Sequence, residues 1–174
     1  SIIIPARDES ENLEQILNYF SEGLKTIDYE VILINDFSGD DTFEKASKLF
    51  EGKQNFKIFN NKRKGLGGAI NLGIEKCSGT KVSIMMADLS DDVEDLKRYN
   101  NLIDQKNLDA VLGSRFSKGS RVIDYPFQKL ILNRIFNFFV SIIFWNNYND
   151  YTNAFKIYKT DVLKNLLPLV SESF

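Results

Sequence analysis

The sequence predicts an α/β protein with a mainly parallel central sheet and helices on both faces. Three observations predict it. Short apolar runs alternate with segments of helical apolar spacing from the first residues to residue 113. The runs at residues 2–5 and 30–35 are apolar almost without a break, as strands buried on both faces are. Polar clusters at residues 5–9, 35–41 and 87–92 follow such runs, and open parallel sheets bind ligands beyond the carboxyl ends of their strands.

Each element has its own reason. Residues 2–5 form the first strand. Ser10 is placed to cap a helix whose apolar positions Leu13, Ile16, Leu17, Phe20, Leu24 and Ile27 keep helical spacing. Residues 30–35 form the second strand, and Asp40 or Asp41 starts a helix with Phe43, Ala46, Leu49 and Phe50 inward. Residues 56–59, 66–77, 81–87, 93–103 and 109–113 then read as strand, helix, strand, helix, strand. The pattern changes after Gly113. Residues 127–145 are a long apolar segment interrupted by Lys129, Asn133, Arg134, Asn137 and Ser141. Its uninterrupted part is too short for a bilayer, which needs about 20 apolar residues. It reads equally as a buried helix or as one lying in a membrane surface with Trp145 at headgroup level. Residues 155–158 read as a strand, and Thr160 as the cap of a last helix ending before Pro168.

Composition bounds the chemistry. At 174 residues this is one domain, or one domain with a short appendage, and a 43% apolar content with 14 Phe allows a sizeable core. A net charge of −2 argues against a nucleic-acid partner. With no His and the single Cys77, Ser–His and Cys–His catalysis, His-ligated zinc and an intrachain disulfide are all excluded. Chemistry must come from carboxylates, Arg and Lys, backbone amides or an oxygen-bound metal. Ser1 leads directly into an apolar strand, so the chain is expected to be a piece of a longer one, truncated at both ends.

Residues 63–88 run from a glycine-rich turn through a helix to an apolar strand ending on Asp88. Glycines allow close approach of a phosphate, and a carboxylate at a strand end can hold a divalent cation against a diphosphate. Asp88 is therefore the expected metal ligand, with Ser90 or Asp91 as further oxygens and Asp92 as a helix N-terminal charge. Asp36 is expected to face the ligand crevice and accept from a base or ribose. The run Gly65-Leu66-Gly67-Gly68 fails the dinucleotide fingerprint in spacing and follows the third strand instead of the first, which makes a dehydrogenase a poor reading.

Taken together these stretches resemble the family 2 glycosyltransferases of the GT-A fold. The resemblance rests on Pro5-Ala6-Arg7-Asp8-Glu9, on Asn35-Asp36-Phe37-Ser38-Gly39-Asp40-Asp41-Thr42, and on the run from Asn61 to Gly73. It narrows to the polyprenyl-phosphate branch through Gly113-Ser114-Arg115-Phe116, Lys118-Gly119, Arg134 and Asn149-Asp150-Tyr151-Thr152-Asn153-Ala154-Phe155. Two departures stand out: Met86 replaces the first Asp of the family's Asp-x-Asp, and Asn153-Ala154 replaces a Ser-Gly.

The resemblance implies inverting transfer of a sugar from a nucleotide diphosphate sugar to a polyprenyl phosphate, dolichyl or undecaprenyl, at the cytoplasmic face of a membrane. Residues 1–113 would be the nucleotide-sugar half and residues 114–174 the acceptor half, with peripheral membrane contact through residues 127–145. Pro5, Ala6, Arg7, Glu9, Asp36, Lys64, Gly67 and Asp88 would hold the donor, with Mg²⁺ or Mn²⁺ on Asp88 and Ser90. Arg115 and Arg134 would orient the lipid phosphate, an anion that needs little help from a general base. Arg115 could instead pair with a carboxylate at a strand end. The alternatives are a polysaccharide or glycolipid acceptor, or a noncatalytic sugar-nucleotide-binding or membrane-associated domain.

Overall fold

The computed structural model describes residues 1–117, 126–146 and 148–169. Its elements alternate as the sequence predicts: β1 (Ile2–Ala6), α1 (Leu13–Gly23), β2 (Val31–Asn35), α2 (Thr42–Leu49), β3 (Phe56–Asn60), α3 (Leu66–Lys76), β4 (Lys81–Ile84), α4 (Val93–Gln105), β5 (Ala110–Leu112), α5 (Phe127–Ile143), β6 (Lys156–Lys159) and α6 (Thr160–Lys164). The six-stranded sheet has the order β3-β2-β1-β4-β6-β5. β1 pairs parallel with β2 and β4, and β2 pairs parallel with β3. The bonds from Lys159 N to Asp109 O and from Gly113 N to Phe155 O run in opposite numerical senses, so β6 and β5 are antiparallel.

Every residue of β1 and β2 is buried, which accounts for their unbroken apolar runs. Ile3, Ile32 and Ile34 pack with Ala69, Leu72 and Ile74 of α3 and with Val82 of β4. Transfer of such side chains from water, at about 1.5–3 kcal/mol each, is the main force fixing the sheet. The chain first adds β2 and β3 on one side of β1 and then β4 on the other. At such a reversal, here between β1 and β4, open parallel sheets bind ligands beyond the carboxyl ends of their strands.

Several local expectations are corrected. The cap of α1 is Asn12 and not Ser10, which belongs to the preceding loop, where its N–H is bonded to the Asp40 carboxylate. Thr160 is the first residue of α6 and not its cap; its hydroxyl donates to Gly79 O. β4 ends at Ile84, although Met85 and Ala87 beyond it are buried. β1 runs on through Ala6, so Pro5 and Ala6 lie inside a buried strand and offer a ligand only their backbone.

Two compact units make up the chain: Ser1–Val111 with Ile157–Phe174, and Leu112–Lys156. In the second, α5 has one buried residue, Asn137, among those described. Its apolar side chains are largely exposed, from Phe127 at 73% to Ile143 at 74%, and Trp145 just beyond it is 92% exposed. Among the described residues these side chains stay uncovered. No helix among the described residues is long and apolar enough to cross a membrane.

Candidate functional site

In the larger unit, the loops after β1 and β2 are knitted together. Asp8 Oδ1 accepts from Gly39 N at 2.6 Å and Asp8 N donates to Ser38 Oγ at 3.0 Å. Glu9 N donates to Thr42 Oγ1 at 2.9 Å and Asp36 N to Ala6 O at 2.8 Å. The Thr42 hydroxyl and amide, joined by Ser10, hold the Asp40 carboxyl down at about 2. Asp8, Phe37 and Leu89 each take a left-handed backbone, with φ of 57°, 56° and 55°. Such residues cost of order 1–3 kcal/mol outside glycine, so each strand-end loop is held in one shape by its surroundings.

Asp36 ties the second loop to the third. It is 6% exposed, and its carboxylate accepts from Gly65 N at 2.9 and 3.0 Å and from Asn61 Nδ2 at 2.7 Å. Asn61 also donates to Arg63 O at 2.6 Å, and Asn35 Nδ2 donates to Asn60 Oδ1 at 2.7 Å. Gly65 stands at the N-cap of α3 with φ 110°, a conformation natural to glycine. At Gly68 a Cβ would stand 1.9 Å from the Arg63 carbonyl oxygen, so the loop closes tightly over the first turn of the helix. Asp36 is thus placed at the expected strand end, but with its oxygens turned into the loop. Lys64 and Arg7 stay exposed, and Gly67 sits half-buried in the first turn of α3.

The fourth loop carries Asp88. Its Oδ1 accepts from Ser90 N at 3.0 Å, while its Oδ2 has no partner among the described residues. Asp91 Oδ2 accepts from Met86 N at 3.4 Å, and the Tyr19 hydroxyl bridges the Asp91 carbonyl and Val93 N, at 2.9 Å each. Among the described residues no three His, Cys, Asp or Glu side chains gather to hold a metal ion. One exposed carboxylate oxygen still suits a Mg²⁺-like ion, which is commonly held by one or two carboxylates plus substrate phosphates. Because β1, β2, β3 and β4 run in the same direction, residues 7–9, Asp36, Lys64 and Asp88 all lie at the same edge of the sheet.

The smaller unit holds the two arginines. Arg115 Nε donates to Asp150 Oδ2 at 2.9 Å and Nη2 to Asp150 Oδ1 at 2.7 Å, and the Arg115 backbone N–H adds a third bond at 2.8 Å. Asp150 is fully buried, so this is the carboxylate pairing that the sequence left open. Arg115 Nη2 also donates to Thr152 Oγ1 at 2.9 Å. The ring of Phe116 lies 5.5 Å from the Arg115 guanidinium and 4.9 Å from that of Arg134. Burial pulls the Lys156 ammonium below its ordinary value, partly offset by Asp150. Lys118 and Gly119 lie outside the described residues.

Sequence reasoning missed Asn61, Asp150 and Asn137 as organising groups. Asp150 lay inside a quoted motif, but its partner is 35 residues away. Asn137 carried one signal, a polar residue in the middle of an apolar helix.

Residues 1–167 match the sequence profile of the family described as Glycosyl transferase family 2. The chain is 33% identical over 134 residues to the dolichol-phosphate mannosyltransferase of Pyrococcus furiosus, covering 77% of this chain and 38% of that protein. It is 25% identical over 171 residues to glycosyltransferase AglD of Haloferax volcanii, covering 95% and 27% respectively. The chain therefore spans well under half the length of these curated relatives. Among solved structures, the mannosyltransferase PcManGT from Pyrobaculum calidifontis in complex with GDP-Man and Mn²⁺ matches with a TM-score of 0.65 at 16% identity, over 98% of this chain and 47% of that one. That last likeness is one of fold, and it bears out the GT-A architecture expected from the sequence.

Proposed function

Because the chain belongs to glycosyl transferase family 2, we propose that it is the core of an enzyme moving a sugar from a nucleotide diphosphate sugar to a polyprenyl phosphate. The observation that carries the reading is the shared carboxyl edge of β1 to β4, where tied loops present Lys64 and an exposed Asp88 oxygen. The backbone of Pro5 and Ala6 and the side chains of Arg7 and Glu9 border the nucleoside. Lys64 and the first turn of α3 at Gly67 face the diphosphate. Asp36 acts from behind, by holding Gly65. The likeness to a dolichol-phosphate mannosyltransferase supports a lipid phosphate acceptor.

In the transfer, an acceptor phosphate oxygen bonds to the anomeric carbon. The bond from that carbon to the donor's β-phosphate oxygen breaks, and the electron pair leaves with the nucleoside diphosphate. Attack from the face opposite the leaving group inverts the centre. The acceptor is already ionised near neutral pH, so no histidine is required. Arg134, and Arg115 through its paired guanidinium, bind the lipid phosphate. A divalent cation, Mg²⁺ or Mn²⁺, would be held by Asp88 Oδ2 beside Ser90 and would neutralise charge building on the leaving diphosphate.

The exposed apolar side of α5 fits a membrane surface in this scheme, because the acceptor itself resides in a bilayer. At 17 residues and about 1.5 Å per residue the helix lies along the interface and does not cross it. Loss of vesicle sedimentation in Phe139→Glu and Ile143→Glu would support that placement; unchanged sedimentation would refute it. The donor site is tested by calorimetric titration of UDP and GDP with and without Mn²⁺. Metal-strengthened binding of either nucleotide is expected, and absence of binding by both would overturn the reading.

A further inference from the structure

We propose that Asn137 is a positioning residue, which sets the register of α5 on the loop that holds Arg115 and thereby the spacing of the Arg115 and Arg134 guanidiniums. This rests on the reading of those arginines as lipid-phosphate contacts. Asn137 is 2% exposed and is the one buried residue of α5 among those described. An interior helix position is filled more favourably by Ala or Leu than by Asn, so its presence needs a reason beyond packing. A buried amide is also costly unless its groups are bonded.

The Asn137 amide is bonded on both sides. Its Nδ2 donates to Asn133 O at 2.8 Å and to Asn133 Oδ1, and its Oδ1 accepts from Tyr151 N at 2.6 Å. Tyr151 lies between the two residues that hold Arg115. On one side Asp150 takes the bidentate pair; on the other Thr152 Oγ1 accepts from Arg115 Nη2 at 2.9 Å. The same Thr152 oxygen accepts from Asn133 Nδ2 at 2.7 Å. The helix is therefore fastened to the loop at two points one turn apart, at the Tyr151 amide and at the Thr152 hydroxyl. Arg134 follows Asn133 directly in α5 and stacks on Phe116, the ring that Arg115 also borders. Without these two fastenings α5 slips along the loop, which changes the distance between the two cations and loosens the hold of Asp150, next to Tyr151, on the Arg115 Nε–H.

Two readouts test this on the full-length protein. The first is independent of turnover: hydrogen exchange of the Arg115 Nε–H, followed by NMR and assigned by its loss in Arg115→Lys. Asn137→Ala, and the isosteric Thr152→Val in case the first variant folds poorly, should each speed that exchange roughly tenfold, the scale of one lost hydrogen bond. The second is steady-state transfer to a short polyprenyl phosphate. The acceptor KM should rise about tenfold in both variants, with kcat and UDP or GDP affinity near wild type. Unchanged Nε–H exchange in both variants, or an unchanged acceptor KM in an active enzyme, overturns the proposal. If exchange quickens in both variants but the wild type glycosylates no lipid phosphate, the positioning role is upheld and the acceptor reading falls.

Discussion

Replacing Asp36 with Asn separates two roles that one strand-end carboxylate can have. If it contacts the base or ribose, the substitution changes nucleotide affinity and leaves the fold alone. The structure gives it the other role, as anchor of the glycine loop through Gly65 N and Asn61 Nδ2. An Asn amide keeps one acceptor oxygen but turns a donor toward one of those two N–H groups, leaving a buried donor unmet. An unsatisfied buried group costs about 1–3 kcal/mol, and more where a charge-assisted bond is lost, so Asp36→Asn should destabilise by about 2–4 kcal/mol. At roughly 2–4 °C per kcal/mol for a chain of this size, Tm should fall by about 5–15 °C. Differential scanning calorimetry without nucleotide is the assay. A Tm within a degree of wild type, alongside weakened nucleotide binding, would refute the anchoring argument and return Asp36 to the ligand.

Three further outcomes are expected. Asp88→Asn should abolish transfer and remove the Mn²⁺ enhancement of nucleotide binding, whereas Met86→Asp should be tolerated and strengthen it; both are read by calorimetry and turnover. Burial would raise the Glu30 carboxyl, but the Lys57 ammonium, the Ser1 and Ser78 hydroxyls and the Ser78 amide hold it at about 2 instead of 4.5. Its contribution, about 3 kcal/mol, is fully present above pH 4.5 and is lost as pH falls toward 2, so urea unfolding of Glu30→Gln should show a flatter acid limb than wild type. Arg134→Ala should raise the KM for lipid phosphate roughly ten- to hundredfold with little effect on UDP or GDP affinity; equal losses in both would assign that arginine to the donor.

The strands were legible because both of their faces are buried, which leaves an unbroken apolar run with no need for tertiary knowledge. Their ends were less so. Met85 and Ala87 are buried without being part of β4, since an apolar run reports burial and not hydrogen-bond pairing. Residue type likewise misplaced two helix starts, at Ser10 and Thr160, because those groups bond across the fold to Asp40 and Gly79. For the site, position was readable and orientation was not. Asp36 stands where its strand predicts, yet what its carboxylate faces depends on Asn61 and Gly65, 25 and 29 residues further along. The same holds for Arg115, whose partner Asp150 is set by the loop that Asn137 fastens. The exposure of α5 could not be read at all, because a helix apolar on most sides has the same sequence in a core as at a membrane surface.

The most direct test of the account is a turnover screen of full-length protein with UDP- and GDP-linked hexoses and a short polyprenyl phosphate, with Mg²⁺ or Mn²⁺ present and the lipid followed by mass spectrometry. The account predicts a lipid product heavier by one hexose residue, formed with release of the nucleoside diphosphate and absent in Asp88→Asn. Hydrolysis of the donor without a glycosylated lipid, or transfer only to a saccharide acceptor, would contradict it.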